Sequence, residues 1–262
     1  MDALEQLPVE TKDIGRGRFL ACAGRPFLIA DWADALFLHF EISPSELQPF
    51  VPFELDLRNG RAFVSLVAFT MRGMRFARGG HIGAWICRPM ATHRFLNLRT
   101  YVRHGGDRGI CFLSEWLPNW LSVLLGPLIY ALPYRYAAIE CVHEGARLHG
   151  VVRARGGKFY YEGELSADTF NECADDSLDQ FLLERYVAFN AGYFTPSRQN
   201  VTRRLFHVWH ESWQQKRSDV RILDDTLLRR FAPWWPAARF VSANYSPGVL
   251  GVWMSAPRVL AR

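Results

Sequence analysis

The chain has 262 residues, 49% of them hydrophobic and 22% charged, which excludes a disordered, collagen-like or disulfide-scaffold protein. The formal charge is +5, and of 31 basic residues only Lys12, Lys158 and Lys216 are lysines. The arginines are scattered, without a basic helix or zinc-finger spacing, so nucleic acid is not expected as a partner.

The first residues are polar and lack the apolar core of a signal peptide. Residues 1–20 are expected to form a loosely ordered lead-in, and 21–262 a single domain. Ser43-Pro44-Ser45-Glu46 has the form of a capping box with proline at the first helical position and predicts a short helix. Residues 61–71 are apolar on both faces, as a central strand requires. Residues 94–103 alternate: Leu96, Leu98, Thr100 and Val102 face one way, and Phe95, Asn97, Arg99 and Tyr101 the other. A glycine turn and a second strand over 110–116 complete a hairpin.

The stretch from Trp116 to Tyr134 is nearly as long as a membrane span, but Pro118, Gly126, Pro127 and Pro133 break it. A helix capped by Asn119 and interrupted at Gly126-Pro127 is expected, serving as a buried element or as the seam of a homo-oligomer; stable membrane insertion is not expected. Strands are predicted over 136–142, 146–155, 159–165, 203–210 and 249–254, and Asn244–Gly248 reads as a turn. The strongest helical periodicity covers 176–191, with Gly192 at the C-cap position, and a last short helix begins at Asp224 or Asp225. Linked hairpins with few helices predict a mainly β protein, an antiparallel barrel decorated by helices.

Cys22, Cys87, Cys111, Cys141 and Cys173 are odd in number and lack a CxxC spacing, as expected of reduced thiols in a cytoplasmic protein. No GxGxxG, P-loop, HExxH or GxSxG occurs in a suitable context, so neither cofactor nor metal is expected. His207 and His210 lie three apart in a predicted strand and so face opposite ways.

The polar face carrying Asn97, Arg99 and Tyr101 is the most informative feature. If the leucine face packs under other elements, this face lines a cavity in which Arg99 can hold a carboxylate in bidentate fashion. The alternative is a solvated face of an antiparallel sheet. Glu115, at the end of the next strand, is a candidate catalytic base or a simple ion-pair partner. Tyr134 and Tyr245 each offer a hydroxyl and a stacking surface to the same pocket, or plain core packing. Glu184, Arg185 and Tyr186 fall on the predicted helix, whose surface explains their polarity. Trp234-Trp235 between Pro233 and Pro236 is either an exposed anchor for another protein or part of the core.

Several segments together resemble the bacterial YqjF-like family of the acetoacetate decarboxylase-like β-barrel superfamily. They are Phe50-Val51-Pro52, Asn59-Gly60-Arg61, Asn97-Leu98-Arg99-Thr100-Tyr101-Val102-Arg103, Leu132-Pro133-Tyr134, Phe181-Leu182-Leu183-Glu184-Arg185-Tyr186 and Tyr245-Ser246-Pro247-Gly248-Val249. The matching pieces span roughly residues 27–256. The resemblance implies the superfamily barrel. It does not imply the decarboxylase's chemistry, because the nearest counterpart of the Schiff-base lysine segment, Leu132–Tyr136, holds no lysine, and a guanidinium such as Arg135 is no nucleophile.

Three functions are weighed. The first is a barrel whose internal pocket takes a small organic, acidic ligand. The second is an enzyme of lyase or isomerase type, without a Schiff base, acting on a keto acid or enolisable substrate through Glu115. The third is a protein-interaction module using the C-terminal tryptophans.

Overall fold

The computed structural model describes residues 25–192 and 202–260. The expected lead-in, Lys12 and Cys22 lie outside them. The described residues form one sheet of thirteen strands. In chain order these are β1 (Pro26–Ile42), β2 (Glu54–Leu55), β3 (Ala62–Phe76), β4 (His93–His104), β5 (Asp107–Leu117), β6 (Tyr134–Glu144), β7 (Arg147–Ala154), β8 (Gly157–Leu165), β9 (Val187–Ala191), β10 (Arg203–Trp209), β11 (Lys216–Asp224), β12 (Arg239–Ser255) and β13 (Arg258–Val259). Five helices decorate it: α1 (Pro44–Leu47), α2 (Gly80–Cys87), α3 (Trp120–Tyr130), α4 (Leu178–Leu183) and α5 (Thr226–Phe231).

The pairings close on themselves twice. One ring runs β5-β6-β7-β8-β11-β12-β1-β3-β4 and returns to β5; the other runs β5-β9-β10-β12-β1-β3-β4 and returns to β5. The two barrel-like rings share β1, β3, β4, β5 and β12. All pairings are antiparallel except those of β5 with β6 and with β9. Long strands make the sharing possible. β12, for example, meets β11 at residues 243–245 and β10 at residues 253–254.

Each ring encloses its own core, and the shared strands feed both by alternation. Leu36 and Leu38 of β1, Leu66 and Ala68 of β3, and Leu96 and Leu98 of β4 join Trp116, Phe159, Tyr161 and Trp235 in the larger ring's core. Ala35, Phe37 and Val67 point the other way, with Phe206, Val208 and Trp213. This is why residues 61–71 read as apolar on both faces.

Several boundaries depart from expectation for physical reasons. The helix expected over 176–191 stops at Leu183. Arg185 instead buries its side chain, and Val187–Ala191 pairs with β10, so Gly192 caps no helix. Asn244–Gly248 is not a turn but the middle of β12; Gly248, at φ +117°, lies so close to β1 that an added Cβ would stand 2.0 Å from the Trp32 carbonyl oxygen. α3 runs on through Gly126-Pro127. Gly126 lies so near the Tyr134 ring that a Cβ would come within 2.4 Å of it, and Ala131, at positive φ, closes the end by donating to the Pro127 carbonyl. Asn119 caps that helix as expected, accepting from the Ser122 amide. α1 starts where the capping box lies, but Ser43 bonds Ser45 rather than the helix.

Candidate functional site

The smaller ring holds a chamber of about 70 Å³. One row of neighbours crosses its wall: Val67 on β3 opposes Asn97 on β4, Asn97 opposes Glu115 on β5, and Glu115 opposes Tyr134 on β6. Directly opposed residues sit roughly 5 Å apart, so Asn97, Glu115 and Tyr134 form one contiguous polar strip beside Val67. Arg99 follows two residues along β4, on the same face.

A register shift aims Glu115 inward. Opposite β4, the pairing steps from Ser114 with Leu98 to Phe112 with Arg99, so Leu113 is an extra residue in β5. Ile110 and Phe112 face the chamber; strict alternation would then send Glu115 out and Trp116 in. The bulge reverses this, and Glu115 enters the chamber while Trp116 packs into the larger core.

The polar groups are deeply buried and incompletely paired. Arg99 is 8% exposed; its Nη2 donates to the Leu182 carbonyl at 3.1 Å, and its Nε has no partner. Asn97 Oδ1 and one carboxyl oxygen of Glu115 also lack partners. Burial pushes the Glu115 pKa well above the usual carboxylate value, and the nearby Arg99 charge counters only part of the rise. Burial likewise raises Tyr134, with the Glu115 charge adding to the effect, so its phenol keeps its proton.

Arg185 lines the same chamber and is a contributor that sequence periodicity assigned to a helix surface. Its Nη1 donates to Asp56 at 2.9 Å and its Nε to the Phe181 carbonyl at 2.7 Å, leaving Nη2 without a partner. Burial lowers its pKa to about 10 despite the Asp56 charge. Asp56 also accepts from Arg103 Nε at 2.6 Å and Arg108 Nε at 2.8 Å. His210 lines the chamber too, stacked on Tyr186 and tilted against Trp213.

The structure thus brings together Asn97, Arg99, Glu115 and Tyr134. Tyr101 stands beside the chamber rather than on its wall. Its hydroxyl donates to the Leu182 carbonyl at 2.9 Å and lies 2.6 Å from Ser65 Oγ, which is 2.7 Å from His39 Nδ1. Tyr101 and Arg99 thus donate to the same carbonyl. Tyr245 does not close the pocket. It points into the larger core, where its ring meets His143 and its hydroxyl lies 3.4 Å from Asp34. Trp234 and Trp235 are core residues, and the Trp235 indole donates to Asp225 at 2.9 Å, so they present no exposed anchor. Lys158 pairs with Asp224 at 3.3 Å, and Lys216 donates to the Ser166 carbonyl at 2.9 Å; neither lines the chamber. Among the described residues no group of histidine, cysteine and carboxylate side chains has the makings of a metal site. No helix among them is long and apolar enough to cross a membrane.

Comparison with solved structures places the fold. An acetoacetate decarboxylase-like enzyme from Sphingomonas wittichii RW1 superposes with a TM-score of 0.62 at 16% identity, covering 90% of this chain and 94% of that one. Acetoacetate decarboxylase from Legionella pneumophila gives 0.63 at 13% identity over 98% of both chains. The enduracididine biosynthesis enzyme MppR, solved with the condensation product of pyruvate and imidazole 4-carboxaldehyde, gives 0.63 at 13% identity over 90% of both. By sequence, the uncharacterized protein YqjF of Bacillus subtilis (strain 168) is 30% identical over 201 residues, 75% of this chain and 78% of that protein. With a family model matching residues 29–249 as well, the chain belongs to DUF2071, described as an uncharacterized conserved protein.

Proposed function

We propose that the chamber binds a small carboxylic acid, with Arg99 as its anion partner and Asn97 and Arg185 beside it. The observation that carries this reading is the unpartnered Nε of a buried guanidinium facing an internal cavity. Buried donors are paired in nearly all proteins, and an orphaned cationic one calls for an acceptor from outside the chain. The lining suits an anion: it carries the two guanidinium groups of Arg99 and Arg185, and burial disfavours the charged form of its carboxyl, Glu115. MppR's complex with a pyruvate condensation product is consistent with such a ligand in this fold. Calorimetric titration with short 2-oxo acids is the test. Arg99→Ala should weaken binding by about 30-fold or more, the effect of removing one partner of a buried charge pair. Equal affinity in the wild type and Arg99→Ala would overturn the reading.

Glu115 favours a catalytic extension. A buried carboxyl whose pKa lies above its ordinary range is a stronger base than a solvated one, and next to Tyr134 and near Arg99 its carboxylate form is suited to take a proton from the carbon beside a ligand's carbonyl. This route needs no Schiff base. It is supported by the positions of Lys158 and Lys216, and borohydride in the presence of acetoacetate should trap no adduct on any lysine. In heavy water the wild type should accelerate deuterium uptake at C3 of a bound 2-oxo acid, the carbon next to its keto group, and Glu115→Gln should abolish that acceleration. Undiminished exchange in Glu115→Gln would remove the catalytic role and leave the binding reading intact.

A further inference from the structure

The chamber abuts a second, partly open cavity of about 110 Å³ between the sheet and helices α2 and α3. The two share a wall made of Met71, Phe95, Leu132, Tyr134 and Met254. On its far side the second cavity is bounded by Cys87, Leu125, Gly126 and Ile129, and its lining is overwhelmingly apolar. Asn97, Arg99, Glu115 and Arg185, each with one polar atom left unpartnered, line only the first chamber. The combined space is therefore polar at one end and apolar at the other. Two of the five partition residues are methionines, whose unbranched thioether chains change rotamer readily and can join the compartments.

We infer that the second cavity holds the apolar tail of the acid whose carboxylate the chamber grips, so that the ligand is a straight-chain oxo acid of medium length. The inference rests on the carboxylate reading above. The chamber alone, at 10–15 Å³ per water-sized unit, has room for about five such units, enough for a head group of pyruvate size. The second cavity adds roughly seven or more, enough for a tail of about four to six carbons. An apolar cavity stays dry, so a tail entering it displaces no well-bound water. The orientation follows from the chemistry of the two ends: the guanidinium and carboxyl groups with unpaired atoms lie in the chamber, whereas the second cavity's unpaired polar side chain is His93, whose burial lowers its pKa to about 4 and keeps the ring uncharged.

The test is a chain-length series of straight-chain 2-oxo acids, from three to eight carbons, titrated calorimetrically into the full chain. Each methylene that enters the cavity should raise affinity about fourfold until the cavity is full. Two variants block the tail site without touching the chamber: Leu125→Phe, and Ile129→Trp at a partly exposed position that tolerates bulk. In each, once a thermal melt confirms folding, pyruvate should bind as in the wild type while the gain with length disappears. A flat series whose short members still depend on Arg99 would overturn the tail site and leave the carboxylate reading standing. A gain that persists in both blocked variants would also overturn it. If no acid of any length binds, the carboxylate reading itself fails and takes this one with it.

Discussion

Asp56 offers the sharpest test of how the chamber floor is held. Its carboxylate is fully buried and meets three guanidinium groups, but the three are not equivalent. The Arg103 and Arg108 side chains are half exposed, so each contact is expected to contribute only about 0–1 kcal/mol. Arg185 is 5% exposed and depends on Asp56 for its countercharge. Asp56→Asn would leave a buried cation uncompensated, at a cost of about 3–5 kcal/mol. At about 2–4 °C per kcal/mol for a chain of this size, the melting temperature should fall by roughly 10 °C. Asp56→Asn with Arg185→Met removes both members, and most of the loss should be recovered because an apolar chain of similar length then fills the space. The assay is a double-mutant cycle by urea denaturation. A loss below about 1 kcal/mol in Asp56→Asn, or strict additivity in the double variant, would refute the reasoning. The acid response follows in sign. Burial alone would raise the Asp56 pKa, but hydrogen bonds from Arg108 and Arg103 and the Arg185 charge bring it below 3.8. The folded state therefore binds this proton less readily than the unfolded chain. The associated stability is complete above the unfolded value and lost as pH falls through the folded one.

Glu115 should behave in the opposite sense. Its pKa is raised in the folded state, so stability is present at low pH and declines as pH rises from about 4.5 toward the folded value. Melting curves of Glu115→Gln across pH 4–8 should lack that decline, and parallel profiles for the two proteins would contradict the placement. Gly248→Ala combines a positive φ with a Cβ 2.0 Å from the Trp32 carbonyl, so a loss of at least about 2 kcal/mol is expected in denaturant titration. Gly251→Ala, at φ +63° but with no atom within 4 Å of its Cβ, should lose only about 1 kcal/mol. Equal losses at the two positions would show that crowding against β1 is not the cause.

Much of the fold was legible because local patterns agree with it. The alternation over 94–103, the glycine turn after it and the Asn119 cap are local signals, and each survives in the structure. The site was legible in part. Asn97 and Arg99 share a face by simple alternation. The direction of Glu115 depends on a bulge that shows only once β5 is paired with β4. Arg185 was hidden for a different reason. Residues 176–191 have helical spacing throughout, but the chain leaves the helix at Glu184 because Asp56, well over a hundred residues earlier, draws the Arg185 guanidinium inward. Tyr245 could not be assigned because both faces of β12 are buried, and parity alone does not say which core a side chain enters.

The five strands shared by the two rings carry a consequence for how the protein can change. In an ordinary antiparallel sheet one face meets water, and substitutions there are tolerated. Here β1, β3 and β4 have a packed interior on either side, so altering Arg99 or Asn97 strains the shelf of leucines immediately behind them. If the chamber binds the acid proposed above, ligand preference and folding are tied together along the partition. β9 and β10 belong to the chamber's ring alone, and Val187, Phe206 and Val208 reach its wall from there. Val187 and Phe189 of β9 also pack in the larger core, so new specificities can be tried at Phe206 and Val208 of β10 without reopening it, and diversification within this architecture should concentrate there.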